Sequence, residues 1–158
     1  IKSKLVVDIQ GDEPLINPKD IDKVVEYHLK NKKYDIIVPG SPFLYPENKN
    51  VVKIVSNSSG KVLYFSRAEI PYPFSQRPKF YYKHLSIVSF YPQSLIKFIK
   101  FSRGVLEKFE SIELLRAIEN DMSVGTFHIK GTSFSVDVKE DYDNAISVMP
   151  FDPIRKLY

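Results

Sequence analysis

The chain has 158 residues with 6 Gly, 11 Pro and no Cys, about one domain's worth of sequence and enough to bury a core without staples. Zero cysteine excludes a disulfide framework, thiolate zinc sites, iron–sulfur clusters and cysteine nucleophiles. The net charge of +4 and pI near 9.1 leave anionic partners open, yet the charge is too mild and dispersed for a dedicated nucleic-acid module.

Leu5–Ile9 is a short apolar run, expected as a buried strand. Asn17-Pro18 reads as an N-cap and first helical residue, with Ile21, Val24, Val25, His28 and Leu29 at helical spacing behind it. Asp35–Val38 is a second strand, and the three prolines in 39–50 predict a loop. Val51–Ser56 and Val62–Ser66 flank Asn57-Ser58-Ser59-Gly60, the turn chemistry of a hairpin. The stretch 70–78 is proline-rich loop, and Tyr81–Tyr91 is one long aromatic and β-branched strand. Pro92 opens a helix to about Ser102. A second helix is expected over Val105–Asn120, with Val105, Phe109, Ile112 and Leu115 on one stripe. Gly125–Lys130 is a strand and Glu140–Val148 a last helix. Strands alternating with helices predict an α/β fold, and the hairpin makes its sheet mixed.

No G-x-G-x-x-G or G-x-x-x-x-G-K-[ST] loop occurs, and no apolar run approaches the ~18 residues of a membrane span. The lysine clusters 30, 32, 33 and 97, 100 (with Arg103) read first as solvated helix faces or ends, with phosphate binding the minority reading. No signal peptide is visible, and cytoplasm is the default expectation. The first residue is Ile1, so either a processed start or an upstream piece is expected.

The chemistry concentrates at a few points. Gln10-Gly11-Asp12-Glu13-Pro14 follows a strand, where open α/β sheets bind ligands. Asp12 is a hard oxygen ligand suited to Mg²⁺, or it ends the strand in an Asx-type turn. Asp137 lies before the last helix and either binds metal or caps that helix. These two stand 125 positions apart, and only a sheet could bring them together. Arg67 is either an anion contact or a surface arginine. His84 is either a ligand contact or a satisfied strand histidine. Glu113 either borders a buried stripe or pairs with Arg116.

Taken together, VVDIQGDEPLI, the hairpin into LYFSRAEIP, KHLSIVSFYP, LEKFESIELLR and the late SVD-x-x-ED resemble the CMP-Kdo synthetases. These are the 3-deoxy-manno-octulosonate cytidylyltransferases of Gram-negative bacteria, and the likeness runs over about residues 4–146. It implies a Rossmann-like, glycosyltransferase-A-like nucleotidyltransferase fold: a mixed sheet flanked by helices, here N-terminally incomplete. Residues 1–158 would be one domain, the C-terminal two-thirds of the family fold. It also implies a reaction for lipopolysaccharide or surface-polysaccharide synthesis. The sugar acid's hydroxyl attacks the α-phosphate of CTP, giving CMP-sugar and pyrophosphate. By match to the motifs, Asp12 and Asp137 would be catalytic and hold Mg²⁺, while Gln10, Arg67, His84 and Glu113 would hold a Kdo-like acid. A cytoplasmic homodimer is implied, with no nucleic-acid or membrane partner.

The chain also departs from the family pattern. Leu114 follows Glu113 where a polar residue is usual, Ser86-Ile87-Val88 replaces Gly-Ile-Tyr, and Ser133-Phe134-Ser135-Val136-Asp137 replaces G-T-G-V-D. The basic A-x-R-x-x-S-x-R-[LF]-P-x-K loop that grips the triphosphate has no counterpart. The 158 residues alone are therefore expected to be inactive or nearly so. An amino-Kdo or sialic-type acid as substrate, or a non-catalytic relic or binding subunit of the same fold, are the alternatives.

Overall fold

The structure, a computed structural model, describes residues 2–131 and 133–155. Its elements in chain order are β1 (Val6–Ile9), α1 (Pro18–Lys30), β2 (Ile36–Phe43), β3 (Lys53–Ser56), β4 (Val62–Ser66), β5 (Tyr81–His84), β6 (Ile87–Phe90), α2 (Pro92–Phe98), α3 (Val105–Glu110), α4 (Leu115–Glu119), β7 (Val124–His128) and α5 (Lys139–Val148), with a 3₁₀ turn at Met149–Phe151. Seven strands form one mixed sheet in the order β1-β6-β2-β5-β3-β4, with β7 also on β2. The β2–β7 pair is parallel and the other named pairs are antiparallel. The expected α/β class and mixed sheet are both present.

β2 is the central strand, and period-2 alternation splits its side chains between two cores. Ile36 and Val38 join Phe65, Leu115 and Val124 on one face; Ile37 joins Val24 of α1, Tyr34 and Ile87 on the other. α1 starts as expected: the Asn17 side chain accepts from the Lys19 N–H and Pro18 follows it. The hairpin turn also forms as expected. Asn57 Oδ1 accepts from the Ser59 and Lys61 N–H groups, and Gly60 takes φ +81°.

Five local expectations fail, each for a physical reason. Leu5–Ile9 is not a buried strand: β1 pairs only with β6 among the described residues, and Ile9 is 43% exposed. The loop expected at 39–50 begins later, because β2 runs through Pro39 and Pro42 to Phe43. Pro39 sits opposite the gap between β5 and β6, where its carbonyl accepts from the Leu85 N–H. The single strand expected over Tyr81–Tyr91 is interrupted. Gly40 pairs with His84 and Ile37 with Ser89, so three steps on β2 face five on its partner. Leu85 and Ser86 are thus a two-residue bulge, a device common beside active sites. The helix from Pro92 stops at Phe98 rather than near Ser102, because the next N–H groups, of Lys100 and Phe101, bond only three residues back, to the Lys97 and Phe98 carbonyls, in tightened turns. Finally, the helix expected over Val105–Asn120 is two short helices broken at Ser111, which is left-handed at φ 52°. Of the proposed stripe only Ile112 and Leu115 are buried; Val105 and Phe109 are 62% and 84% exposed.

Candidate active site

A cleft of about 710 Å³ opens on the sheet where β1 ends and the β5–β6 bulge lies. Gln10, Asp12, Arg67, His84, Glu113 and Asp137, the six candidates read from sequence, all line it. The fold therefore collects residues scattered over most of the chain.

The bulge is what joins the first segment to the sheet. Gln10 N–H donates to the Ser86 carbonyl at 3.2 Å, and Ser86 N–H donates to Glu13 Oε1 at 3.2 Å. A second tie joins the ends of the chain: Val136 N–H donates to the Asp12 carbonyl at 2.9 Å. Asp12 and Asp137 are thereby brought to one place. Asp137 does not cap α5. That end is held by Asp141, whose Oδ2 accepts from the Asp137 and Val138 N–H groups at 3.1 Å each, leaving the Asp137 carboxylate free for the cleft. Partial burial and then the like charges of Asp12 and Asp141 push the Asp137 carboxyl above its ordinary value, against an opposing pull from Arg67. Crowded carboxylates of this kind suit a divalent cation. No cluster of three or more His, Cys, Asp or Glu side chains forms a metal cage among the described residues. A pair of carboxylates nonetheless fits Mg²⁺, which keeps several waters or phosphate oxygens of its own.

The other candidates differ in how free they are. His84 Nε2 is covered and has no hydrogen-bond partner among the described residues, and burial lowers the ring pKa to about 4, so the imidazole is neutral near pH 7. Arg67 is neither a loose surface arginine nor a free anion hook. Its Nε donates to the Glu110 carbonyl at 2.9 Å, Nη1 to the Lys49 and Asn50 carbonyls at 3.1 Å, and Nη2 to the Ser111 carbonyl at 3.4 Å. Glu113 pairs with Arg116 at 3.1 Å, the alternative left open from sequence. Arg116 in turn holds the buried Glu107 through Nε and Nη2 at 2.7 and 2.8 Å.

Three charged residues of this region were not singled out by sequence reasoning. Glu13 is 6% exposed and accepts three hydrogen bonds. Lys53 is fully buried and donates to the Asn48, Val51 and Arg67 carbonyls. Lys83 donates to the Ser133 carbonyl at 2.8 Å, and burial lowers its pKa. The signal available was position: Glu13 lies inside QGDEP, Lys83 precedes His84, and Lys53 is a charge inside the apolar run 51–55.

A mixed sheet with a carboxylate-lined cleft at a strand end is the arrangement of a nucleotidyltransferase-type α/β domain. A putative glucose-1-phosphate thymidylyltransferase from Bacillus anthracis shares the fold, with TM-score 0.59 at 16% identity over 94% of this chain and 55% of that one. More specifically, the chain belongs to the cytidylyltransferase family, whose pattern matches residues 1–124. It is 38% identical over 157 residues to the 3-deoxy-manno-octulosonate cytidylyltransferase of Rickettsia rickettsii (strain Sheila Smith), covering 96% of this chain and 61% of the relative. Identity to that of Rickettsia canadensis (strain McKiel) is 39%, covering 96% and 60%. The structure of CMP:2-keto-3-deoxy-manno-octonic acid synthetase complexed with CTP superposes with TM-score 0.88 at 25% identity, over 95% of this chain and 63% of that one. The chain thus spans about three fifths of the length of the curated relatives it matches.

Proposed function

We propose that this chain supplies the catalytic carboxylates and sugar-acid pocket of a Mg²⁺-dependent cytidylyltransferase. In this reading it joins CMP from CTP to Kdo, or a closely related 3-deoxy sugar acid, and releases pyrophosphate. The observation that carries the reading is the convergence of Asp12 and Asp137 in one cleft through the Val136–Asp12 main-chain bond.

Asp12 and Asp137 would hold the cation. Bound Mg²⁺ supplies charge neutralisation at phosphate oxygens and a Lewis acid beside the attacking hydroxyl. The protein's own part is positioning. Arg67 and Lys83 put positive charge into the cleft wall, which favours an anionic sugar acid. Their tethers to backbone carbonyls fix that charge before the ligand arrives. His84 lines the cleft as a neutral ring, and its covered Nε2 would reach a ligand hydroxyl only after the wall around it shifts. Gln10 offers an amide at the same wall, and Glu113 an exposed carboxylate at the rim beside Arg116. The volume suits a ligand of sugar-acid size. We further assign the complete protein to lipopolysaccharide or surface-polysaccharide synthesis as a cytoplasmic homodimer. No helix among the described residues is long and apolar enough to cross a membrane.

The test is pyrophosphate release by the full-length gene product with CTP, Kdo and Mg²⁺. Turnover that stops with EDTA is the expected result. Absence of turnover together with absence of Kdo binding overturns the assignment. A substrate panel including amino-Kdo and sialic acids fixes the acid.

A further inference from the structure

We propose that Glu13 is a positioning residue: its buried carboxylate clasps the loop carrying Asp137 to the turn carrying Asp12, and so sets the spacing of the carboxylate pair. The proposal rests on the metal-binding reading above only where it predicts cation affinity.

The geometry is specific. Glu13 Oε2 accepts from Ser133 Oγ at 2.6 Å, and Oε1 accepts from Ser135 Oγ at 3.4 Å and from the Ser86 main-chain N–H at 3.2 Å. One side chain therefore ties three segments that are remote in sequence: the turn after β1, the β5–β6 bulge, and the approach to α5. Asp12 is the next residue on the first segment, and Asp137 lies two residues beyond Ser135 on the third. Lys83 reinforces the junction, donating to the Ser133 carbonyl at 2.8 Å. The Val136–Asp12 main-chain bond runs parallel to the clasp.

A bare carboxylate buried to this degree is costly unless fully hydrogen-bonded, and Glu13 forms no ion pair among the described residues. Its charge is held instead by two hydroxyls and one amide, with Lys83 attracting it from nearby. Hydrogen bonds to a charged group are stronger than neutral ones. Nor can a chain segment as short as 133–137 hold one geometry by itself: it has no helix or strand, and its anchoring comes through these contacts. Glu13 need not touch the substrate to control Asp137. It acts through the serines.

The experiment uses the full-length protein with Glu13→Gln, which keeps the side-chain shape and removes the charge, and separately the double substitution Ser133→Ala/Ser135→Ala, which keeps the carboxylate and removes two of its three donors. Two readouts are taken without turnover: exchange of the Val136 amide in metal-free protein, and Mn²⁺ binding followed by electron paramagnetic resonance. Both variants are expected to speed Val136 exchange by roughly tenfold or more, the loss of one to two charged hydrogen bonds, while amides of β2 and β7 keep wild-type protection. Mn²⁺ affinity falls by a similar factor. Val136 exchange unchanged in both variants overturns the clasp, as does faster exchange with unchanged Mn²⁺ affinity. Loss of protection throughout β2 and β7 in the serine variant also overturns it, because the contacts then hold the fold at large. If wild-type protein binds no Mn²⁺, the metal reading fails and the Val136 amide decides the clasp alone.

Discussion

Replacing Arg67 separates a scaffold role from a ligand role. Its guanidinium donates to carbonyls in two separate loops, Lys49 and Asn50 on one side and Glu110 and Ser111 on the other. Both loops border the cleft. The backbone N–H of Arg67 and the Ser66 hydroxyl add bonds to the Glu110 carboxylate at 2.9 and 2.6 Å, which survive truncation of the side chain. Each side-chain bond contributes about 1 kcal/mol net, less for the exposed ones. Arg67→Ala therefore costs about 2–3 kcal/mol. At roughly 2–4 °C per kcal/mol for a chain of this size, Tm falls by about 5–10 °C. Arg67→Lys recovers only part, because one ammonium cannot span carbonyls on both loops. The assay is thermal unfolding of ligand-free protein by circular dichroism, with sugar-acid affinity measured beside it. A Tm within about 1 °C of wild type for Arg67→Ala, with affinity lost, refutes the staple and leaves a plain ligand contact.

Three further outcomes are expected. His84 has a folded-state pKa of about 4 against an ordinary 6.5, so the unfolded chain takes up its proton first. Its contribution to stability is complete above pH 6.5 and is lost as pH falls from there to about 4, at most about 3 kcal/mol; a ring titration midpoint above 6 by NMR contradicts this. Asp137→Asn removes a carboxyl crowded by Asp12 and Asp141. It should stabilise metal-free protein by a few tenths to about 1 kcal/mol after solvent screening while abolishing pyrophosphate release, and a lower metal-free Tm counts against it. Gly125→Ala drives a Cβ into the Tyr34 ring and Ile37. The loss should be about 1–3 kcal/mol in urea unfolding, and a neutral result would mean that the contact relaxes freely.

What the sequence disclosed was local. The Asn17 cap, the Asn57–Gly60 turn and the strand starts follow from the chemistry of adjacent residues, and these elements form as expected. What stayed hidden depends on partners far away in the chain. Pro39 and Pro42 signal a loop to any local reading, yet β2 continues through them because its neighbours β5, β6 and β7 supply pairing on both edges. The break at Ser111 is hidden for the same reason. Ser111 O and Glu110 O are taken by Arg67, 44 and 43 positions earlier, and an uninterrupted helix would compete for those carbonyls.

The site shows the same division. Five of the six candidate residues had a chemically sensible local alternative, and the structure chooses differently among them: Asp137 is released from capping because Asp141 performs it, whereas Glu113 is engaged by Arg116. Neither outcome follows from spacing alone, since each turns on a competing side chain. Ser133 and Ser135 carry the point furthest. As departures from a glycine-rich approach they read as losses. In the fold their hydroxyls reach a carboxylate at Glu13, about 120 positions earlier, and a residue not singled out from sequence becomes the junction of the cleft.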